Sequence, residues 1–121
     1  MSEILVAARD DIPEGGARII EIGNLEIGVI RHEDAFYAYR NFCPHQGGPV
    51  CEGIRMAGVY DDVDPEGLFH GQKFDKADMH IVCPWHGYEY RLKDGVNVCD
   101  ARLKLRKYEV TERDGNVYIT V

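Results

Sequence analysis

The amino-acid sequence predicts an all-β fold, a small antiparallel β-sandwich or barrel. Short segments alternate apolar and polar residues, and turn residues separate them at close intervals. No stretch of ten or more residues carries a helical apolar stripe with caps. In order, strands are predicted at 3–7, 17–22, 25–31 and 35–40. Gly23-Asn24 is a two-residue hairpin signal, because both residues tolerate the positive φ that primed turns demand, and His32-Glu33-Asp34 forms the next turn. Further strands are predicted at 80–83, 88–92, 105–111 and 116–121, with Asp114-Gly115 closing a terminal hairpin. Between Cys51 and His80 the pattern loosens into Gly-, Asp- and Pro-containing sequence that reads as a long inserted loop over about 52–80.

The chain has 121 residues, the size of a single domain spanning 1–121. Its longest apolar runs, such as 4–8, are too short to cross a membrane, and the N-terminus has no basic region followed by an apolar signal core. A cytoplasmic location and no membrane contact are expected. The formal charge of −7 disfavours nucleic acid and favours a partner with a basic docking patch. In a reducing compartment four cysteines suit metal ligation or free thiols better than a disulfide framework.

Two segments carry the chemistry: Cys43-Pro44-His45-Gln46-Gly47-Gly48-Pro49 and Cys83-Pro84-Trp85-His86-Gly87. Each pairs a thiolate donor with an imidazole donor in a short loop, where Pro stiffens the turn and Gly removes bulk. Side by side they supply two Cys and two His. Structural zinc uses the same donors, but spaces paired ligands more widely and has no use for the Pro and Gly neighbours. Coincidental buried Cys and His do not account for both loops.

The pair closely resembles the Rieske family, whose pattern is Cys-x-His in one loop and Cys-x-x-His in the other. The likeness extends from the N-terminal strands to 105–121. It implies a Rieske-like fold with a small cluster-binding subdomain, here about 41–92. One [2Fe-2S] cluster is implied, bound by Cys43, His45, Cys83 and His86, with the cysteines on the buried iron and the histidines on the outer one. Replacing two thiolates by neutral imidazoles raises the reduction potential to about −150 to +300 mV, against about −400 mV for four-thiolate plant-type clusters. The imidazole ligands also imply a midpoint potential that falls with pH in the alkaline range.

Departures from the family narrow the reading. Respiratory members link their two loops by a disulfide between the positions held here by Gly48 and Trp85, and carry an N-terminal anchor that is not expected here. Tyr88 stands where high-potential members have Ser, whereas Tyr90 matches a Tyr of that group and is expected to raise the potential slightly. The interval between His45 and Cys83 is longer than usual, which places the inserted loop beside the cluster, as a recognition loop or as neutral elaboration.

His32, His70 and His80 lack the Cys and Gly/Pro context and read as structural; His70 or His80 contributing to a second metal is the alternative. Asp61, Asp62, Asp64 and Glu66 lack the full spacing of a calcium loop and read as a solvated acidic loop. Cys51 and Cys99 read as small, partly buried residues, with a disulfide between them left open.

The resemblance implies a soluble one-electron carrier with no substrate-converting site. It would take electrons from a flavin-dependent or other reductase and give them to a terminal oxygenase or related oxidoreductase. An accessory subunit similar to the small subunit of nitrite reductase is the alternative, and a redox sensor a third.

Overall fold

The computed structural model describes residues 2–44, 47–85 and 87–121; the side chains of Tyr60 and Lys76 are also left undescribed. Nine strands are present among the described residues: β1 (Glu3–Ala8), β2 (Ala17–Ile22), β3 (Leu25–His32), β4 (Ala35–Arg40), β5 (Arg55–Val63), β6 (Phe69–Val82), β7 (Glu89–Arg91), β8 (Lys107–Arg113) and β9 (Asn116–Thr120). Short 3-10 turns follow β1 at Arg9–Asp11 and precede β5 at Val50–Glu52. No described helix is long and apolar enough to cross a membrane.

Six strands form one antiparallel sheet in the order β1-β9-β8-β4-β3-β2, and β5-β6-β7 form a second. Tight turns set the register of the larger sheet. Gly23 takes φ +61°, and Ile22 pairs with Leu25 across the two-residue turn. Glu33 and Asp34 are both left-handed, at φ +49° and +66°, as a type I′ turn requires. These non-glycine residues are held there because the Glu14 carboxylate accepts both of their backbone N–H groups at 2.8 Å, while Arg31 grips Asp34 at 2.5 Å. Asp114 and Gly115, at φ +55° and +77°, repeat the device between β8 and β9.

Strands β3 and β4 are covered on both faces, and this is how the body reaches the site. Ile27, Val29, Phe36 and Ala38 face one core with Val117 and Ile119. Ile30 and Tyr39 face a second core with Val50, Cys51, Ile81, Leu92 and the site cysteines Cys43 and Cys83. Gly28 lies on the side of the second core because Cys51 lies directly over it: a Cβ at position 28 would fall 2.3 Å from the Cβ of Cys51. Tyr39 anchors the two sheets by donating its hydroxyl to the Leu92 carbonyl at 2.5 Å.

The segment expected as a loop over about 52–80 is instead a β-hairpin, with nine residues in β5 and fourteen in β6. Its turn is confined to 64–68, where Asp64 Oδ1 accepts the N–H groups of Glu66 and Leu68 and Gly67 takes φ +85°. Two register shifts, at Ala57/Gly58 and Asp61/Val63, interrupt the alternation and explain its loose appearance in sequence. Strand 80–83 is therefore only the end of β6. The strand expected from 105 begins at Lys107, because Leu105 turns inward and its N–H bonds the Gly95 carbonyl at 2.8 Å.

Candidate metal centre

The first loop leaves β4 through Asn41, and the second joins β6 to β7. Asn41 is buried and fixes the foot of the first loop. Its side-chain oxygen accepts the Cys51 N–H at 2.8 Å, and its amide donates to Glu26 at 2.8 Å and Glu52 at 3.0 Å.

The two loops close with the same backbone pattern. In each, the cysteine N–H donates to the carbonyl five residues on: Cys43 to Gly48 at 2.8 Å, and Cys83 to Tyr88 at 2.8 Å. In each, the glycine four residues on donates back to the cysteine carbonyl: Gly47 at 2.6 Å and Gly87 at 3.2 Å. Both glycines take positive φ, +79° and +70°, which a side chain would oppose. The sequence pairs these loops by composition, and the structure closes both with the same two backbone hydrogen bonds.

They face each other closely. A Cβ at Gly48 would fall 2.9 Å from Cys83 Sγ and 3.0 Å from Trp85 Cβ. Positions 48 and 85, whose residues exclude the respiratory disulfide, are therefore in apposition, and glycine leaves room for the second thiol. Cys43 and Cys83 are both free and 1% exposed. The Tyr90 hydroxyl lies 3.0 Å from Cys43 Sγ. Burial pushes the Cys83 thiol above its usual range, opposed by the Trp85 backbone N–H and reinforced by neighbouring Cys43. Burial, then the Cys43 contact, pushes the Tyr90 phenol up, so its proton is kept and available to donate to sulfur. Two buried thiols side by side, met by a phenol donor, suit coordination to a cationic centre, since deprotonated sulfur in such a core needs a positive partner.

The sequence-expected ligands Cys43 and Cys83 are thus brought together; His45 and His86 lie outside the described residues. Phe42 and Trp85 stand partly exposed beside the loops, and Asn97, which bridges to Tyr90 on β7, is buried below them. Neither Asn41 nor Asn97 was recognisable in sequence, since an isolated Asn carries no motif.

Residues outside the loops have other partners. Among the described residues no group of three or more His, Cys, Asp or Glu side chains is arranged to hold a metal ion. His70 meets Asp64 at 2.7 Å, and buried His80 lies between Asp78 at 3.0 Å and Glu89 at 3.2 Å, on opposite ring nitrogens. Asp62 pairs with Lys73. Cys51 and Cys99 are both free: Cys51 is buried, its thiol pushed up to about 12 by desolvation, whereas Cys99 is exposed rather than partly buried.

Solved structures share this architecture. A chain in the complex of reduced oxygenase and oxidised ferredoxin of carbazole 1,9a-dioxygenase matches with a TM-score of 0.72 at 24% identity, covering 98% of this chain and 92% of that one. The ferredoxin of carbazole 1,9a-dioxygenase from Nocardioides aromaticivorans matches at 0.71 and 21% identity, covering 99% and 98%. The fold is therefore the predominantly antiparallel Rieske-like fold with a small cluster-binding subdomain. The family model of the Rieske [2Fe-2S] domain matches residues 2–109, and the chain belongs to that family. It is 27% identical to the 3-phenylpropionate/cinnamic acid dioxygenase ferredoxin subunit of Photorhabdus laumondii, over all of this chain and 96% of that one. It is 24% identical to the ferredoxin component of the alkene monooxygenase system of Xanthobacter autotrophicus, over 94% and 77%. A human Rieske domain-containing protein is 26% identical, over 99% and 75%.

Proposed function

We propose that this chain is a one-electron carrier in which Cys43, His45, Cys83 and His86 hold one [2Fe-2S] cluster. The observation that carries the proposal is the pair of buried free thiols, presented by two loops closed by the same backbone hydrogen-bond pattern, with the Tyr90 hydroxyl on Cys43 Sγ. When bound, the cluster supplies reversible one-electron storage. The chain's own residues bury the sulfurs, hold the loops in register and donate a hydrogen bond that favours added negative charge. The donor is a flavin-dependent or other reductase and the acceptor a terminal oxygenase or related oxidoreductase. Support comes from relatives that are ferredoxin components of a dioxygenase and an alkene monooxygenase. Residues 1–121 act as one domain with its cluster-binding part at about 41–92, in the cytoplasm, with no substrate-converting site of its own.

A potentiometric titration of anaerobically purified protein, followed by optical and electron paramagnetic resonance spectra, tests the reading. The expected result is a single reversible one-electron wave with the low average g value of histidine-ligated clusters. A colourless protein containing zinc overturns it.

A further inference from the structure

Asn41, His80 and Asn97 are buried polar residues. Asn41 fixes the foot of the first loop just before Cys43, and Asn97 bridges to Tyr90. His80 stands at the matching place before the second loop, close ahead of Cys83 on β6, and is 7% exposed. A polar ring buried to that degree must have its nitrogens satisfied.

The second loop, 83–88, joins β6 to β7. Strand β7 is three residues long. It is held to β6 by three pairs, His80 with Arg91, Ile81 with Tyr90 and Val82 with Glu89, and on its other side by backbone bonds to Val96 and Val98. A strand of this length is at the short end of what sheets use, so side chains decide how firmly it is placed. Alternation puts Tyr90 on the inner face, with its hydroxyl on Cys43 Sγ, and His80 and Glu89 together on the other. There His80 reaches diagonally across the strands, Nδ1 to Glu89 Oε1 at 3.2 Å, while Nε2 meets Asp78 Oδ2 at 3.0 Å on its own strand. Arg91, opposite His80, turns instead to Asp94 at 2.9 Å. Gly58 of β5 closes in on the pair: a Cβ there would fall 2.7 Å from Asp78 Oδ2 and 3.2 Å from His80 Cε1.

We propose that His80 is a positioning residue for electron transfer: its bond to Glu89 clamps β7 onto β6 and so holds Tyr90 on Cys43 and the second loop closed. The proposal rests on the electron-carrier reading. Glu89 is the right residue to hold, because it follows Tyr88, whose carbonyl accepts the Cys83 N–H, and precedes Tyr90. A hydrogen bond to a carboxylate from a buried ring is stronger than one between neutral groups in water. Asp78 orients the ring without crossing to β7.

Midpoint potentials and the rate of iron loss to a chelator, measured on cluster-loaded wild type, Glu89→Ala and Glu89→Gln, test the proposal. Glu89 is partly exposed, so neither change disturbs the core. Removing its charge by itself raises the potential equally in both variants, because reduction adds negative charge to the cluster. Loss of the clamp acts in the opposite direction. Glu89→Ala is expected to lower the potential toward that of Tyr90→Phe and to release iron about tenfold faster, the equivalent of one hydrogen bond. Glu89→Gln keeps a partner for the ring, and is expected to lose iron at the wild-type rate with a potential no lower than wild type. In a Tyr90→Phe background, Glu89→Ala is expected to lower the potential no further. Two Glu89 variants whose potentials shift together in either direction, or a Glu89→Ala protein that loses iron no faster than wild type, overturn the proposal while the wild-type cluster spectrum stands. A wild-type protein without that spectrum overturns the electron-carrier reading, and this proposal with it.

Discussion

The hairpins of the six-stranded sheet and the site beside the smaller sheet are built on different terms. In the larger, three two-residue turns, each with left-handed backbone at one or both positions, set the register of β2–β3, β3–β4 and β8–β9, while β1–β9 and β4–β8 pair across long stretches of sequence. The smaller pairs strands consecutive in sequence, and the site beside it is held by long-range contacts: Tyr39 to the Leu92 carbonyl, Asn41 to Cys51 and Glu52, Cys51 over Gly28, and two facing loops. The hairpins of the body are set by local turn chemistry, whereas the site depends on contacts to the body.

That contrast is broken most severely by removing a thiol. Cys83→Ser is expected to lose nearly all bound iron and to loosen the β5-β6-β7 sheet while β1–β4 and β8–β9 stay folded, seen as hydrogen-exchange protection lost only in the smaller sheet. Uniform loss of protection would show that the regions are not separable.

Two glycines sharpen the comparison. Gly28→Ala drives a Cβ onto the buried Cβ of Cys51, which has nowhere to go, and is expected to cost about 2–3 kcal/mol in urea unfolding. Gly48→Ala meets buried Cys83 Sγ at 2.9 Å and Trp85 Cγ and Cβ at 2.8 and 3.0 Å, atoms at the base of that side chain, so Trp85 and the second thiol must both shift. It is expected to cost about 1–3 kcal/mol and to lower the iron content, because the strain falls on the second thiol.

A smaller effect tests the hydrogen bond at the site. Tyr90→Phe removes the hydroxyl 3.0 Å from Cys43 Sγ and is expected to lower the midpoint potential by about 60 mV, equivalent to about 1.4 kcal/mol for one electron. Protein-film voltammetry measures it, and an unchanged potential means that Tyr90 only fills space.

The smallest effect lies in the body. The Glu14 carboxyl is held below its usual range chiefly by the Asp34 N–H, so its contribution is present above the unfolded pKa of about 4.3 and is lost as pH falls through the lower folded value. Wild type is expected to exceed Glu14→Gln in stability at neutral pH, with the gap closing on acidification below that unfolded value. A gap independent of pH would assign the effect to something other than the charge.

The same division decides what was legible in the sequence. Strands 17–22 and 35–40 and every tight turn of the body were readable because alternation and turn chemistry are local. Cys43 and Cys83 were readable because each sits in a loop whose Pro and Gly serve the same closure. The β5–β6 hairpin was not, because Gly58, Gly71 and two register shifts dilute its alternation and its acidic residues resemble a loop. Asn41 and the Gly28–Cys51 contact were invisible because their partners lie far away in sequence.

The central claim, two thiolates and two imidazoles on one cluster, is tested most directly by electron–nuclear double resonance of the reduced protein grown with 15N-labelled histidine. Coupling from two histidine nitrogens is predicted, with loss of one in each of His45→Ser and His86→Ser where the cluster survives. A reduced cluster that shows no histidine nitrogen coupling would contradict the account.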